Sequence, residues 1–478
     1  MIKTKIVATI GPACNRPEIL SAMVDAGLDV VRLNFSHGTL ADHTVALEQT
    51  RRVARQRGAT IAVIGDLCGP RFRVGQIAGG QCELIQGQHV AIRRDPVEGT
   101  PQHLSTNHPV LVDDVVVGDR ILIDDGMVCL RAVDKRTDEL ICQVEVGGTV
   151  ASQKGINLPD TRVSSPSLSP KDVKDLEWAV AHGLDYIALS FVRSPEDIYE
   201  LRRHLKEREG HMGVIAKIER PEAVEQIDEI IEHSDAVMVA RGDLGVEMDP
   251  ARVPLIQKDI VLRCQRHSVP VIIATQMLQT MVGSPLPTRA EVNDVANAIL
   301  DGADAVMLSA ETSVGRYPVE AVAMMNRIAA ETEDFLARSG PQLERHPPTA
   351  SLHVTSAVVH GAQLLASELG ARLVGVWTES GFTARLLSKR RLRQPIAGLS
   401  SDERVCRRMC LFYGVTPIQA NRPDDDNAML VELDHLFVER RLAWQNDLIV
   451  VVAGTRLHKP GATNALLIHL VGMTPLPR

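Results

Sequence analysis

Short β-branched apolar runs recur along the chain, at residues 5–10, 29–35, 60–66, 185–191, 213–218, 235–240, 269–275 and 304–308. Segments with helical periodicity separate them. Several of these open on a start signal, as in Arg16-Pro17-Glu18, Ser194-Pro195-Glu196-Asp197, Arg220-Pro221-Glu222 and Thr288-Arg289-Ala290-Glu291, and proline suits a first helical position because its missing N–H is not needed there. Strand then helix, eight times over, predicts an α/β fold of the (β/α)₈ or TIM barrel type.

One unit is interrupted. From about residue 72 to 154 the helical period gives way to strand-and-turn sequence such as Gly79-Gly80-Gln81 and Asp125-Gly126, which predicts a small all-β domain, a β-barrel lid, inserted after the third strand. Without it the barrel keeps roughly 256 residues, near the ~250 usual for this architecture. The expected division is 1–71 with 156–340 for the barrel, 72–155 for the insert and 350–478 for a C-terminal α/β domain. The last region alternates helices with strands at 372–377, 395–399 and 448–453, and the Pro- and Arg-containing stretch 339–348 reads as a linker.

Composition agrees with a large globular chain. Of 478 residues, 45% are hydrophobic and only 3% aromatic, so the cores must be aliphatic, as buried parallel sheets prefer. A net charge of -8 opposes general nucleic-acid binding, with Lys389-Arg390-Arg391 to Arg393 a local basic exception. Eight cysteines without a C-x-x-C spacing read as reduced thiols and point to the cytoplasm. The opening Met1-Ile2-Lys3-Thr4-Lys5 runs straight into a strand pattern, without the features of a signal or transit peptide. No apolar run approaches the ~20 residues of a membrane span.

In such a barrel the chemistry gathers at the carboxyl ends of the strands. Those ends carry Arg32, Asn34, Ser36 and His37; Asp66; Ser190; Lys217, Glu219 and Arg220; Arg241, Gly242 and Asp243; Thr275 and Gln276; Ser309 and Glu311. Glu219 and Asp243 bring two hard oxygen donors onto neighbouring strands with no imidazole or thiolate beside them, a set suited to Mg²⁺ or Mn²⁺. The pattern equally admits carboxylates paired at the rim with Arg220 or Arg241. Lys217 alternates with Glu219 and so faces the same side. There it is either a cation for a migrating phosphoryl group or an enolate oxygen, or a lysine held in a structural ion pair. Thr275 by itself decides nothing.

At these residues the chain resembles the pyruvate kinase family throughout its length. Thr4-Lys5-Ile6-Val7-Ala8-Thr9-Ile10-Gly11-Pro12, Arg32-Leu33-Asn34-Phe35-Ser36-His37-Gly38, Ile215-Ala216-Lys217-Ile218-Glu219, Met238 to Glu247, Ala274-Thr275-Gln276-Met277-Leu278 and Pro287-Thr288-Arg289-Ala290-Glu291 match family motifs in order. The resemblance implies transfer of the phosphoryl group of phosphoenolpyruvate to ADP, giving pyruvate and ATP. It implies that Glu219 and Asp243 hold the divalent cation, and that Lys217 stabilises the phosphoryl group in transfer. Arg32 and Arg73 would neutralise phosphate, the backbone of Gly242 and Asp243 would bind the substrate carboxylate, and Thr275 would lie beside the enolate carbon. Asn34, His37, Arg73 and Lys154 would serve the nucleotide, with the insert as a closing lid. A homotetramer is expected on the same ground.

One segment departs from the family pattern. Members that need K⁺ hold it with Asn, Ser, Asp and Thr and carry an acid shortly after. Here Asn34, Ser36 and Asp66 are kept, but the Thr position is Leu67 and the acidic one is Arg71. A guanidinium at Arg71 would supply the missing positive charge, so activity without K⁺ is expected. In the last domain Thr378, Ser380, Gly381 and Thr383 open a helix after a strand, resembling the family loop for a phosphorylated effector. An ordinary capped helix fits the same residues, while Lys459 to Asn464 resembles the neighbouring effector loop. Without the resemblance, a Mg²⁺-dependent lyase or aldolase acting on a pyruvate enolate, or a non-catalytic sugar-phosphate sensor, would be the competing readings.

Overall fold

The computed structural model describes residues 2–339, 353–423, 425–454 and 463–473. Eight parallel strands close into a barrel: β1 (Lys5–Thr9), β2 (Val30–Asn34), β3 (Ala62–Asp66), β4 (Tyr186–Leu189), β5 (Gly213–Ile218), β6 (Ala236–Ala240), β7 (Val271–Ala274) and β8 (Ala305–Leu308). Every strand pairs with its neighbours in sequence, and β8 closes on β1 with Lys5 opposite Ala305. The strands are buried almost throughout, because their outward side chains meet the helices and their inward ones fill the barrel. Helices Pro17–Asp25, Pro195–Glu207 and Pro221–Glu225 start on the expected prolines, and Arg289–Asp301 starts after Thr288, which forms a capping box with Glu291.

After β3 the chain leaves the barrel and forms a seven-stranded sheet, from Phe72–Arg73 to Gly155–Asn157, beside a two-stranded ladder of Gln81–Leu84 and Gly148–Ala151. The segment is not purely strand, since Val110–Asp114 is a short helix. Its first and last strands lie side by side, with Phe72 opposite Ile156, so departure and return are anchored together.

Four of the eight strands start in the same way. Asp29, Asp185, Asp235 and Asp304 stand immediately before β2, β4, β6 and β8. The Oδ2 of each accepts the first free backbone N–H of the preceding strand: Ile6 at 2.9 Å, and Val63, Val214 and Val271 each at 2.8 Å. This satisfies donors at the barrel base that would otherwise be buried unpaired. Each carboxylate also faces a cation: Lys5 at 3.3 Å, Arg51 at 2.9 Å, Arg202 at 2.8 Å and, for Asp304, Lys389.

The C-terminal domain supplies part of that charge. Its helix His353–Glu368 precedes a sheet ordered Val415–Gln419, Ile396–Ser400, Val374–Trp377, Leu448–Gly454 and Thr463–Leu470, the last strand antiparallel. Two of these strands have no counterpart in the sequence reading. Val415–Gln419 contains Pro417, a residue that argues against a strand but is tolerated here because the strand lies at the sheet edge. The basic run is largely spent on the barrel base. Lys389 and Arg391 pair with Asp304, Arg391 lies 3.8 Å above the Tyr413 ring, and Lys3 Nζ donates to the carbonyls of Leu392 and Arg393 at 2.8 Å. Arg407 adds a second cation to Asp185 at 2.7 Å. Apart from Ser339, which ends the long helix Pro318–Ser339, the expected linker lies outside the described residues.

At the top of the barrel, helix Leu40–Arg57 backs the segment after β2. His43 is buried there, edge-on to Phe35 at 5.1 Å and beside Trp178 at 6.2 Å. Burial holds its imidazole below the ordinary value and Lys171 acts the same way, against the opposing pull of the His37 backbone, Asp175 and Asp42.

Three outcomes follow for stability. Asp304→Asn leaves the Lys389 ammonium without its charge partner in a fully buried position and is expected to cost about 3–5 kcal/mol, seen as a lower denaturation midpoint. Arg202→Met, at the half-exposed Asp235 pair, is expected to cost at most about 1 kcal/mol, and equal losses in the two variants would contradict this account. Because the folded chain binds a proton at His43 less readily than the unfolded chain, that residue's contribution is complete well above the usual imidazole value of about 6.5 and is lost as pH falls through it. His43→Gln should therefore flatten the fall in thermal midpoint between neutral and mildly acidic pH; an unchanged slope would assign it elsewhere.

Candidate active site

The inward residues at the ends of β2, β3 and β5 meet around one ammonium. Lys217 Nζ lies 2.9 Å from Glu219 Oε1 and 3.2 Å from Asp66 Oδ1, and donates to Ser190 Oγ at 2.6 Å. Burial alone would pull this lysine down, but Asp66 and Glu219 outweigh it and hold the ammonium above its ordinary pKa. Asp66 is shared. Its Oδ2 accepts from Arg32 Nε at 2.7 Å, while Arg32 Nη1 donates to Thr9 Oγ1 at 2.9 Å. Burial pushes the Asp66 carboxyl up, and Lys217 and Arg32 together reverse this and keep it ionised. Arg32 is thereby fixed at the barrel top.

Glu219 is fully buried. Its Oε2 accepts the Phe191 N–H at 2.7 Å, whereas Oε1 has no hydrogen-bond donor despite its closeness to Lys217. Burial raises the carboxyl and the neighbouring Asp243 adds to the rise, only partly opposed by Lys217. Two carboxylates close enough to repel, one of them deeply buried, form a site in want of a cation. Neither arginine foreseen as a rim partner meets that need. Arg220 pairs with Glu247 and Glu222, and Arg241 with Asp294. Asp243 is instead approached by Arg71, at 3.7 Å. The donors present are hard oxygens alone, which fits Mg²⁺ or Mn²⁺. Among the described residues no group of three or more His, Cys, Asp or Glu gathers in a metal-binding arrangement.

Thr275 and Gln276 follow β7 with φ of 69° and 54°, a left-handed pair that costs non-glycine residues some strain and turns the Thr275 side chain toward β6. Thr275 Oγ1 donates to its neighbour's carbonyl, Ala274 O, at 2.6 Å and accepts the Gly242 N–H at 2.7 Å. One of the two backbone donors expected for a substrate carboxylate is therefore engaged by Thr275. Arg73 Nη1 donates to Gln153 O at 2.9 Å, and Lys154 pairs with Asp124 at 2.8 Å, with Arg73 ending the insert's first strand and Lys154 immediately before its last. His37 is held below its ordinary pKa by burial and by the charges of Arg71, Arg32 and Arg73.

The segment that departs from the family pattern is tied internally. Asn34 Oδ1 accepts the Ser36 N–H at 3.1 Å, Leu67 O accepts from Ser190 Oγ at 2.7 Å, and Cys68 Sγ meets Ser36 Oγ at 3.1 Å. Gly69, at φ 66°, allows the turn out of the barrel; a Cβ there would sit 2.8 Å from Phe191. A cavity of about 80 Å³ opens between insert and barrel, lined among others by Arg71, Asp125, Asn157, Arg220, Asp243 and Glu247. Asn157, Glu247 and the Phe191 amide have no individual role in the sequence reading, although Glu247 closes the family-matching segment from Met238. Glu247 was open to detection, standing one helical turn after Asp243. The Phe191 amide was not, because its φ of 55° has no signal in a phenylalanine.

Thr378, Ser380, Gly381 and Thr383 lie in the C-terminal domain, which packs on the strand starts and therefore at the far end of the barrel from Lys217. Thr378 Oγ1 accepts the Gly381 N–H at 3.0 Å, Ser380 Oγ that of Phe382 at 3.4 Å, and the hydroxyls of Thr383 and Thr463 are 2.7 Å apart. Of the neighbouring loop, only Thr463 and Asn464 are among the described residues.

The family model for the pyruvate kinase barrel domain matches residues 1–322, and that for the pyruvate kinase alpha/beta domain matches residues 356–469. A pyruvate kinase of Mycobacterium intracellulare is 41% identical over 98% of both chains, and one of Agrobacterium vitis is 42% identical over 99% of this chain and 97% of its own. A crystal structure of a pyruvate kinase from Cryptosporidium parvum superposes with a TM-score of 0.90 at 34% identity, covering 98% of this chain and 96% of that one. With both family domains matched in order and relatives aligned almost end to end, the chain belongs to the pyruvate kinase family, kinases that transfer the phosphoryl group of phosphoenolpyruvate to ADP.

Proposed function

We propose that this chain carries out that transfer at the cleft centred on Lys217, with Glu219 and Asp243 holding Mg²⁺ or Mn²⁺. The observation that carries the metal reading is the fully buried Glu219 beside Asp243, its Oε1 without a hydrogen-bond donor. When bound, the divalent ion supplies Lewis acidity to the phosphate and enolate oxygens. The remaining work falls to the protein. Lys217, kept charged by Asp66 and Glu219, faces the phosphoryl group in transfer, whose charge is the main electrostatic problem of this chemistry. Arg32, held by Asp66 and Thr9, and Arg73 on the insert neutralise phosphate from two sides.

The substrate carboxylate takes the backbone of Gly242 and Asp243, which requires the Gly242 N–H to exchange its Thr275 partner for the ligand. Thr275 is then free to orient a proton donor toward the enolate carbon. Asn34, His37, Arg73 and Lys154 serve the nucleotide, and the insert, read as 72–155 between barrel segments 1–71 and 156–340 with its last strand running on to Asn157, closes on the cleft and excludes water. Thr378, Ser380, Gly381 and Thr383 of the domain 350–478 take a phosphorylated effector, although the first two hydroxyls already cap their own helix start. Like other members of its family, the chain is read as a cytoplasmic homotetramer. Among the described residues no helix is long and apolar enough to cross a membrane.

The K⁺ requirement is read as absent. Asn34 Oδ1 and Leu67 O, oxygens that a K⁺ ion would recruit, already accept from Ser36 and Ser190, and Asp66 accepts from Arg32 and is ion-paired with Lys217. Arg71 adds a guanidinium at the same cleft.

Two assays test these readings. In a coupled assay with phosphoenolpyruvate, ADP and Mg²⁺, Lys217→Met is expected to lower kcat about 10²–10³-fold, and a variant with parental kcat would remove Lys217 from the mechanism. In tetramethylammonium buffer the parent is expected to turn over fully, and large stimulation on adding KCl would sink the K⁺-independent reading.

A further inference from the structure

Behind the metal carboxylates lies a buried polar network that phosphoryl transfer itself does not use. Arg220, directly after Glu219, is 6% exposed, and Glu247, on the same helix face as Asp243 four residues on, is 4% exposed. Arg220 Nη1 donates to Glu247 Oε2 at 3.1 Å, and its other nitrogens bind Glu222 at 3.0 and 3.3 Å. Both partners also hold the inserted domain. Glu247 Oε1 accepts from Asn157 Nδ2 at 2.8 Å, at the end of the insert's last strand. Arg220 Nη2 donates to Thr161 O at 3.0 Å, in the returning chain, and Thr161 Oγ1 donates to Asp119 of the insert at 2.7 Å.

A buried ion pair is poorly explained by stability, since apolar residues of similar volume serve as well or better. What this pair does is geometric. Asn157 ends the insert's last strand and Thr161 is hydrogen-bonded to Asp119 of the insert, while Glu247 and Arg220 are joined through a helical turn and a single peptide bond to Asp243 and Glu219. We propose that Arg220 and Glu247 are positioning residues which couple the seating of the inserted domain to the spacing of the two metal carboxylates. This rests on the reading of Glu219 and Asp243 as the metal pair. Closure of the insert would then complete the metal site, and metal binding would reciprocally favour closure.

The test uses Mn²⁺ as probe on the full chain without substrates, with affinity read by electron paramagnetic resonance and insert mobility by amide hydrogen exchange. Asp243→Asn, the control for the metal pair, should abolish tight binding. Glu247→Gln and Asn157→Ala should each weaken Mn²⁺ about 10-fold or more, as loss of an outer partner does at other metal sites. Mn²⁺ should slow exchange in the insert of the parent but not of Asn157→Ala. Should Glu247→Gln fail to fold, Asn157→Ala, whose side chain is only partly buried, carries the test alone. Parental Mn²⁺ affinity in Asn157→Ala, with binding lost in Asp243→Asn, overturns the coupling and leaves the metal pair standing. Tight binding retained in Asp243→Asn overturns the metal pair itself and the coupling with it.

Discussion

The top of the barrel is organised around the Lys217 ammonium. A lysine buried in a barrel loses hydration worth several kcal/mol and tolerates this only where anions surround it. Here Asp66 and Glu219 do so, from β3 and from the end of its own strand, with Ser190 accepting one of its protons. Each partner has a second obligation, Asp66 to Arg32 and Glu219 to the Phe191 amide. The Lys217 ammonium, Arg32 and the buried Glu219 carboxylate are thus set by one network, and none can shift alone.

The same chemistry is used at the base for a different end. Asp29, Asp185, Asp235 and Asp304 each satisfy a strand N–H and each require a cation. Where the barrel provides it, the result is a closed barrel. Where the C-terminal domain provides it, through Lys389, Arg391 and Arg407, the result is a docking surface for that domain. Charge at the base joins the domains, and charge at the top gathers around the Lys217 ammonium. A barrel alone leaves enolate lyase chemistry or a sensor role equally open. Family membership closes that choice, and the cations Arg32, Arg71, Arg73 and Lys217 around one cleft are what phosphorylated ligands require.

Much of this was legible because strand ends and chemistry coincide in a barrel. The eight apolar runs gave the strands, the prolines gave the helix starts, and residues at the run ends, such as Lys217 and Asp243, gave the cleft. Misreadings arose where a residue's role is set by a distant neighbour. The edge strand around Pro417, formed by pairing with Ile396–Ser400, has no counterpart in the sequence reading, and Arg220 and Arg241, plausible partners of Glu219 and Asp243 by proximity in sequence, turn instead to Glu247 and Asp294.

What the sequence by itself determined was the periodicity, and hence the elements, together with the set of donors and charges at the ends of the strands. These are properties of consecutive residues, fixed by backbone geometry and side-chain chemistry. The tertiary structure alone decided which charges neutralise one another. It left Glu219 Oε1 without a donor, gave Asp304 its partners from another domain, and joined Asn157 to Glu247 across 90 positions. Such choices depend on burial and on distances of a few ångström between remote segments, because losing an ion-pair partner is costly only where water cannot replace it.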